Sequence, residues 1–205
     1  MRIDRLEPSR HKKGRFLLHL DDGSCLKVTE REVADYGLYP GMELEEGACA
    51  ALTEAGKRSS AKYRAAAMVG ARPLSRQELT RRLKEKGEEE SHVREAVDWL
   101  EELGAVNDAD YGKLIARHYS AKGYGPRKIQ DELFRRGVPR ELWSEAMEEA
   151  SDPAAGIDAF LSRKLAPGET DPKALKRAAD GLLRRGYRWA DVREGLRRYG
   201  AEVEE

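Results

Sequence analysis

Three glycines, Gly87, Gly137 and Gly186, are each preceded by a cation: Lys86, Arg136 and Arg185. Arg135 and Arg184 double that cation in the second and third cases. Cations so placed have two uses. They complement the negative end of a helix, worth roughly 0.3–1 kcal/mol each, or they hold phosphates and carboxylates of another molecule. The helix account suffices for any single residue, but the set is larger. Arg72, Arg76, Arg81, Arg82, Arg117, Lys122, Arg127, Lys128, Arg177 and Arg188 extend it into a broken basic stripe along the middle helices. Such a stripe suits phosphates or an acidic protein groove. Tyr124, in a turn between Gly123 and Gly125, joins these candidates, although stapling two helices also explains it.

Catalytic groupings do not emerge. His11, His19, His92 and His118 stand apart in the sequence, and Cys25 and Cys49 lack metal spacing. No serine sits in a nucleophile elbow. The run from Gly123 to Pro126 lacks the preceding strand and the Gly-Lys-Ser/Thr ending of a phosphate loop. Glu88, Glu89 and Glu90 read as the negative first turn of a helix. Trp99, Trp143 and Trp189 fall on apolar helical faces and read as packing. No catalytic, cofactor-binding or metal-binding residues are assigned, and a binding protein is preferred to an enzyme.

The elements that would carry these cations repeat. Four residues before the glycines stand Leu83, Leu133 and Leu182, and eight before stand Leu79, Ile129 and Ala178. Six after stand Val93, Trp143 and Val192, and ten after stand Val97, Met147 and Leu196. Apolar residues at i and i+4, a glycine stop, and i and i+4 again describe helix, turn, helix. The expected helices are 60–70, 75–86 and 91–103; 108–121, 126–136 and 139–149; then 153–165, 172–185 and 188–199. Ser75 opens a capping box, Pro126, Pro139, Pro153 and Pro172 lie near helix starts, and the glycines close the middle helices. In unit two, Glu141, Glu145, Glu148 and Glu149 crowd the helix that would enter a DNA groove, which argues against reading of duplex bases.

Residues 1–55 differ. Phe16, Leu18 and Leu20 alternate, and Leu26 and Val28 follow Asp21-Asp22-Gly23. A three-residue loop pairing Leu18 with Leu26 and Phe16 with Val28 keeps the apolar residues on one face, whereas a two-residue loop splits them. Thr29 to Glu32 is a capping box opening a short helix that Gly37 ends. Gly56-Lys57-Arg58-Ser59-Ser60 reads as a linker. The expectation is a mainly α chain of three tandem three-helix repeats in an elongated array, preceded by a small α+β module with a β-hairpin. Its spans are 1–55 for the module, then 56–105, 106–151 and 152–205 for the repeats.

The 205 residues carry equal numbers of acids and bases, yet the charges segregate. Residues 140–160 hold six acids and one base, and residues 163–198 hold eleven bases and five acids. That pattern suits a charged polymer or an oppositely patterned protein. The start has no apolar core for a signal peptide, and no stretch approaches a membrane span. A cytoplasmic monomer is expected.

Asn107-Asp108, Tyr111, the run from Gly123 through Ile129, Glu132-Leu133 and Gly137-Val138 resemble the RecX family of recombination regulators. Ser75, Glu78-Leu79, Leu83, Lys86-Gly87, Val93, Val97 and Leu100 are similar to that family's first unit. The likeness covers roughly residues 60–200. It implies a modular, curved helical array that binds RecA filaments on single-stranded DNA, lies in the filament groove, blocks extension, and suppresses ATP hydrolysis, strand exchange and coprotease activity. No catalytic residues and no cofactor are implied, and weak DNA contact is compatible with it. A helical-repeat protein acting on DNA without RecA is the alternative.

Overall fold

A computed structural model of the chain describes residues 1–10 and 14–200. His11 lies outside the described residues, as do residues 201–205 of the third repeat's span. The chain forms two compact units, Met1–Arg72 with Leu79–Ala105, and Pro73–Glu78 with Val106–Glu205.

The first unit begins with an antiparallel sheet of β1 (Ile3–Pro8), β2 (Arg15–Leu20) and β3 (Cys25–Thr29), with β2 central. Leu18 pairs with Leu26 and Phe16 with Val28, the register that keeps the apolar set together. Gly23 takes φ +83° in the loop, open to it because it has no Cβ. β1 was not expected. Ile3 is its one buried residue, so its sequence shows no alternation. Thr29 caps α1 (Glu30–Asp35) reciprocally with Glu32, at 3.3 and 2.8 Å.

The supposed linker is helix. α2 runs unbroken from Glu46 to Ala71 and places 56–60 in its middle. Tertiary packing overrides the weak local propensity of this glycine- and serine-containing run. Cys49 and Leu52 complete a core with Ile3, Leu18, Leu20, Val28, Leu38 and Leu44. The polar residues of the run are partnered: Lys57 with Glu89 at 3.2 Å, Arg58 with Glu95 at 3.0 Å, and Ser59 with Glu32. α3 (Arg76–Glu85) and α4 (Glu90–Glu102) follow, burying Leu79, Leu83, Val93 and Val97 as the repeat skeleton requires.

In the second unit, α5 (Asp108–Ala121), α6 (Pro126–Arg135) and α7 (Trp143–Glu148) form one three-helix repeat. α8 (Pro153–Lys164), α9 (Pro172–Arg184) and α10 (Trp189–Arg198) form the next. The helix expected over 139–149 is shorter. Leu142 N–H donates to the Pro139 carbonyl at 3.1 Å, closing a 3-10 turn over Arg140–Leu142 before α7. Ile129 and Leu133 lie in one core with Tyr111, Ile115 and Val138, half-buried Trp143 and Met147 packing against it. Ala178, Leu182, Val192 and Leu196 lie in the other with Ile157 and Leu161.

Gly56 lies where a Cβ would drive into the Lys27 carbonyl of β3, whereas open space surrounds Gly47 of the same helix. Gly56→Ala is therefore expected to lose about 1–3 kcal/mol. Gly47→Ala should be neutral or gain up to about 1 kcal/mol. Urea unfolding followed by far-UV circular dichroism checks both. A neutral Gly56→Ala would mean that α2 does not press on the sheet.

Candidate functional site

The residue that follows each middle helix is one of the cations first singled out, and its carbonyl has no partner within the helix. That carbonyl is met from another element. Lys86 O accepts from Arg64 Nη1 at 3.1 Å, Arg136 O from the Ser75 hydroxyl at 2.5 Å, and Arg185 O from Gly125 N–H at 2.8 Å. The glycines that follow have φ between +70° and +88°. In the second unit they also clear space. A Cβ on Gly137 would strike Gln77, and one on Gly186 would lie 2.5 Å from the Lys128 nitrogen. The start of α3 thus seats on the α6–α7 turn, and the start of α6 on the α9–α10 turn, where Arg127 N–H also donates to Gly186 O at 3.1 Å. Asp108 accepts the Arg76 N–H at 2.8 Å, and burial pushes its carboxyl above the usual range against that hydrogen bond.

Three candidates converge on one buried acid. Glu132 is 3% exposed, and removing a carboxylate from water costs several kcal/mol unless it is paired. Oε1 accepts from Arg135 Nη1 at 2.8 Å, with Lys128 Nζ at 3.6 Å. Oε2 accepts from the Tyr119 hydroxyl at 3.0 Å, with Arg136 Nε at 3.6 Å and not hydrogen-bonded. Arg136 then donates to the hydroxyls of Tyr111 at 2.9 Å and Tyr119 at 3.4 Å. Burial works against its charge, but these hydroxyls outweigh it and hold its pKa above the usual value. Arg136 is a structural cation joining α5 to α6.

Arg185 has the same character. Its Nη1 reaches the carbonyls of Lys122 and Gly123 at 3.3 Å, and its guanidinium lies 5.6 Å from the Tyr124 ring and 5.2 Å from Phe160. Tyr124 is half-buried, 5.7 Å from Tyr119, and acts as the staple. Arg72, Arg76 and Arg82 are half-buried and partnered. Arg81 pairs with Glu85 at 2.6 Å, Arg117 with Glu149 at 3.1 Å, and Arg177 loosely with Asp171 at 4.0 Å. Lys86, Lys122, Arg127, Arg184 and Arg188 are exposed. Arg177 and Arg184 line an open depression of about 350 Å³ in the third repeat with Lys164, a cation outside the stripe gathered from sequence; Phe160 and Gly181 also line it.

Two further groups lie in the first unit. Glu54, Glu89 and buried His92 place ligand-type atoms within 4.8 Å of one another, a grouping invisible in a sequence that separates Glu54 from His92 by 38 residues. The His92 hydrogen bond holds the Glu54 carboxyl below its usual range. Lys57 already sits 3.2 Å from Glu89 and 3.8 Å from Glu54, so a metal ion would meet a like charge. The group ties α2 to α4. Arg15 is 7% exposed, against Ser60 at 3.4 Å and the Tyr63 ring at 5.4 Å. Its Nε and Nη2 lack partners among the described residues and are closed to solvent.

Family models described as RecX, first three-helix domain, and RecX, second three-helix domain, match residues 61–100 and 107–147. The regulatory protein RecX of Pseudomonas entomophila is 32% identical over 122 residues, covering 58% of this chain and 79% of that protein. That of Stenotrophomonas maltophilia is 33% identical, covering 65% and 83%. A crystal structure of a regulatory protein RecX superposes with a TM-score of 0.69 at 20% identity, over 93% of this chain and 96% of that one. One of RecX from Lactobacillus salivarius gives 0.63 at 16%, over 71% and 98%. The two superpositions establish the fold.

The Glu132 network separates structural from free cations. Arg136→Ala removes a partly buried partner and should lower stability by about 2–3 kcal/mol. Arg135→Ala removes a pair whose arginine is 68% exposed, and should cost less than about 1 kcal/mol. Equal losses in urea unfolding would contradict this division.

Proposed function

The chain belongs to the RecX family of regulatory proteins, and on that premise we propose that it is a non-enzymatic modulator of the RecA recombinase. It binds RecA filaments on single-stranded DNA as a cytoplasmic monomer without a cofactor. By occupying the filament it blocks extension and reduces ATP hydrolysis, strand exchange and coprotease activity. The observation that carries this reading is the pair of coupled repeats in the second unit, from which Arg127, Arg135, Arg184 and Arg188 project into solvent. Arg127, Arg184 and Arg188 have no side-chain partner among the described residues, and exposed Arg135 has only its contact with buried Glu132. Such groups steer association with a charged partner and draw affinity from it. Among the described residues no helix is long and apolar enough to cross a membrane.

The test adds the protein to RecA filaments hydrolysing ATP. The rate should fall progressively at substoichiometric protein. The same rate at saturation would overturn the reading. Reversing Arg127, Arg135, Arg184 and Arg188 to Glu should weaken filament binding by at least about tenfold and flatten its salt dependence. Helical content should hold, because exposed charges contribute little to stability. Tight binding to bare DNA with no effect on RecA would favour the DNA-only alternative.

A further inference from the structure

Core positions recur between the second and third repeats because both build the same core. The solvent-facing positions of their middle helices recur as well, and packing does not require that. Ten residues before the repeat glycine stand Arg127 and Lys176, and six before stand Asp131 and Asp180. Three before stand Phe134 and Leu183, and two before stand Arg135 and Arg184. The four cations are exposed, as is Asp131, with Asp180 half-buried. Phe134 is 64% exposed and Leu183 38%, an arrangement that leaves apolar side chains in water between cations. The first repeat, with the same helix and the same glycine, has Gln77, Arg81, Lys84 and Glu85 in these positions. The pattern is therefore not a consequence of the fold.

We propose that Phe134 with Arg135, and Leu183 with Arg184, are two copies of one protein-recognition element. Their partner is an acidic protein surface with apolar depressions. Because this inference rests on the regulatory role proposed for the chain, that surface belongs to the protein subunits of the filament and not to its DNA. Three features select protein. An acid recurs within one turn of each apolar residue; a continuous phosphate backbone would repel it, whereas a protein surface carries discrete charges and can set a base opposite it. Leu183 offers no ring face on which a base could stack, which single-strand binding draws upon. The apolar centre with a cationic rim matches the usual composition of a protein interface. The copies are held in fixed relation, because Gly125 N–H and Arg127 N–H bond the Arg185 and Gly186 carbonyls. Arg127 and Phe134 are separated by seven residues of helix, about 10 Å of rise. A rigid pair engages as a bivalent unit, so loss of both copies should multiply.

The experiment uses the full chain and preformed RecA filaments on single-stranded DNA, with bare single-stranded DNA as the second probe. Phe134→Ser and Leu183→Ser should each weaken filament binding about tenfold, and the double variant about a hundredfold. Bare-DNA affinity should stay at the wild-type value. If Leu183→Ser melts early, Arg127→Glu with Lys176→Glu tests the same elements from exposed positions and should also weaken binding. Undiminished filament binding by the folded variants, with wild type binding, overturns this inference and leaves the regulatory reading standing. A parallel fall in bare-DNA affinity makes the face a nucleic-acid site and overturns it too. Sedimentation showing wild-type dimers that the double variant lacks makes the face a self-interface and likewise overturns the inference. Wild type that fails to bind filaments overturns the regulatory reading and this inference together.

Discussion

A helix leaves its last carbonyls without partners, and in this chain those carbonyls are where one element attaches to another. Arg136 O takes the Ser75 hydroxyl and Arg185 O takes the Gly125 N–H. Burying either carbonyl unmet would cost about 1–3 kcal/mol, more than most single surface contacts contribute. The attachment works only where the following residue has no Cβ, since Gln77 and Lys128 fill the space beside Gly137 and Gly186. The glycine serves two ends. It takes the positive φ that stops the middle helix, and it lets the preceding repeat's helix approach the turn. In the first repeat the helix stop alone is needed. Nothing approaches the Cβ position of Gly87, and the Lys86 carbonyl is met by the long Arg64 side chain.

The same geometry sorts the cations. The hydrogen-bonded turn fixes the direction in which the Cα–Cβ bond leaves the backbone, and from there Arg136 and Arg185 reach inward. Arg136 meets Tyr111 and Tyr119, and Arg185 meets the carbonyls of Lys122 and Gly123 just past α5. One position earlier, the helix turns Arg135 and Arg184 outward by about 100°. Adjacent arginines that look alike in sequence therefore divide into one that stabilises the repeat and one left to a partner.

The repeat skeleton was legible because burial imposes spacing. Leu83, Leu133 and Leu182 all have no exposed surface, and only a helix of fixed phase places them so. The hairpin register was legible for the same reason, through Leu18 and Leu26. β1 and the middle of α2 were not, since their order comes from the sheet, from Glu89 and Glu95, and from the rest of the first unit's core. The basic candidates could be gathered from sequence but not sorted, because sorting depends on groups such as Tyr111, 25 residues from Arg136. Glu132 did carry a local signal. Cations at positions four before, three after and four after lie on its face of the helix, and so many around one acid indicate burial.

Sorting also explains how a chain of zero net charge keeps basic surface to offer. Two acids in and just after α7 do not stand free. Glu145 takes Lys113 at 2.6 Å and Glu149 takes Arg117 at 3.1 Å, so the acidic middle neutralises the cations of α5. Glu132 does the same from beneath for Lys128, Arg135 and Arg136. The cations these pairings leave over include Arg127 on the outer face of α6 and Lys176 and Arg184 on that of α9, with Arg135 exposed beside them despite its bond to Glu132. Sequence-averaged charge hides such a face, because the acids that balance it are already joined to other bases. Phe134 and Leu183 lie within that remainder. The second and third repeats thus combine a rigid frame, set by two carbonyl attachments, with an outward pattern that the frame itself does not need.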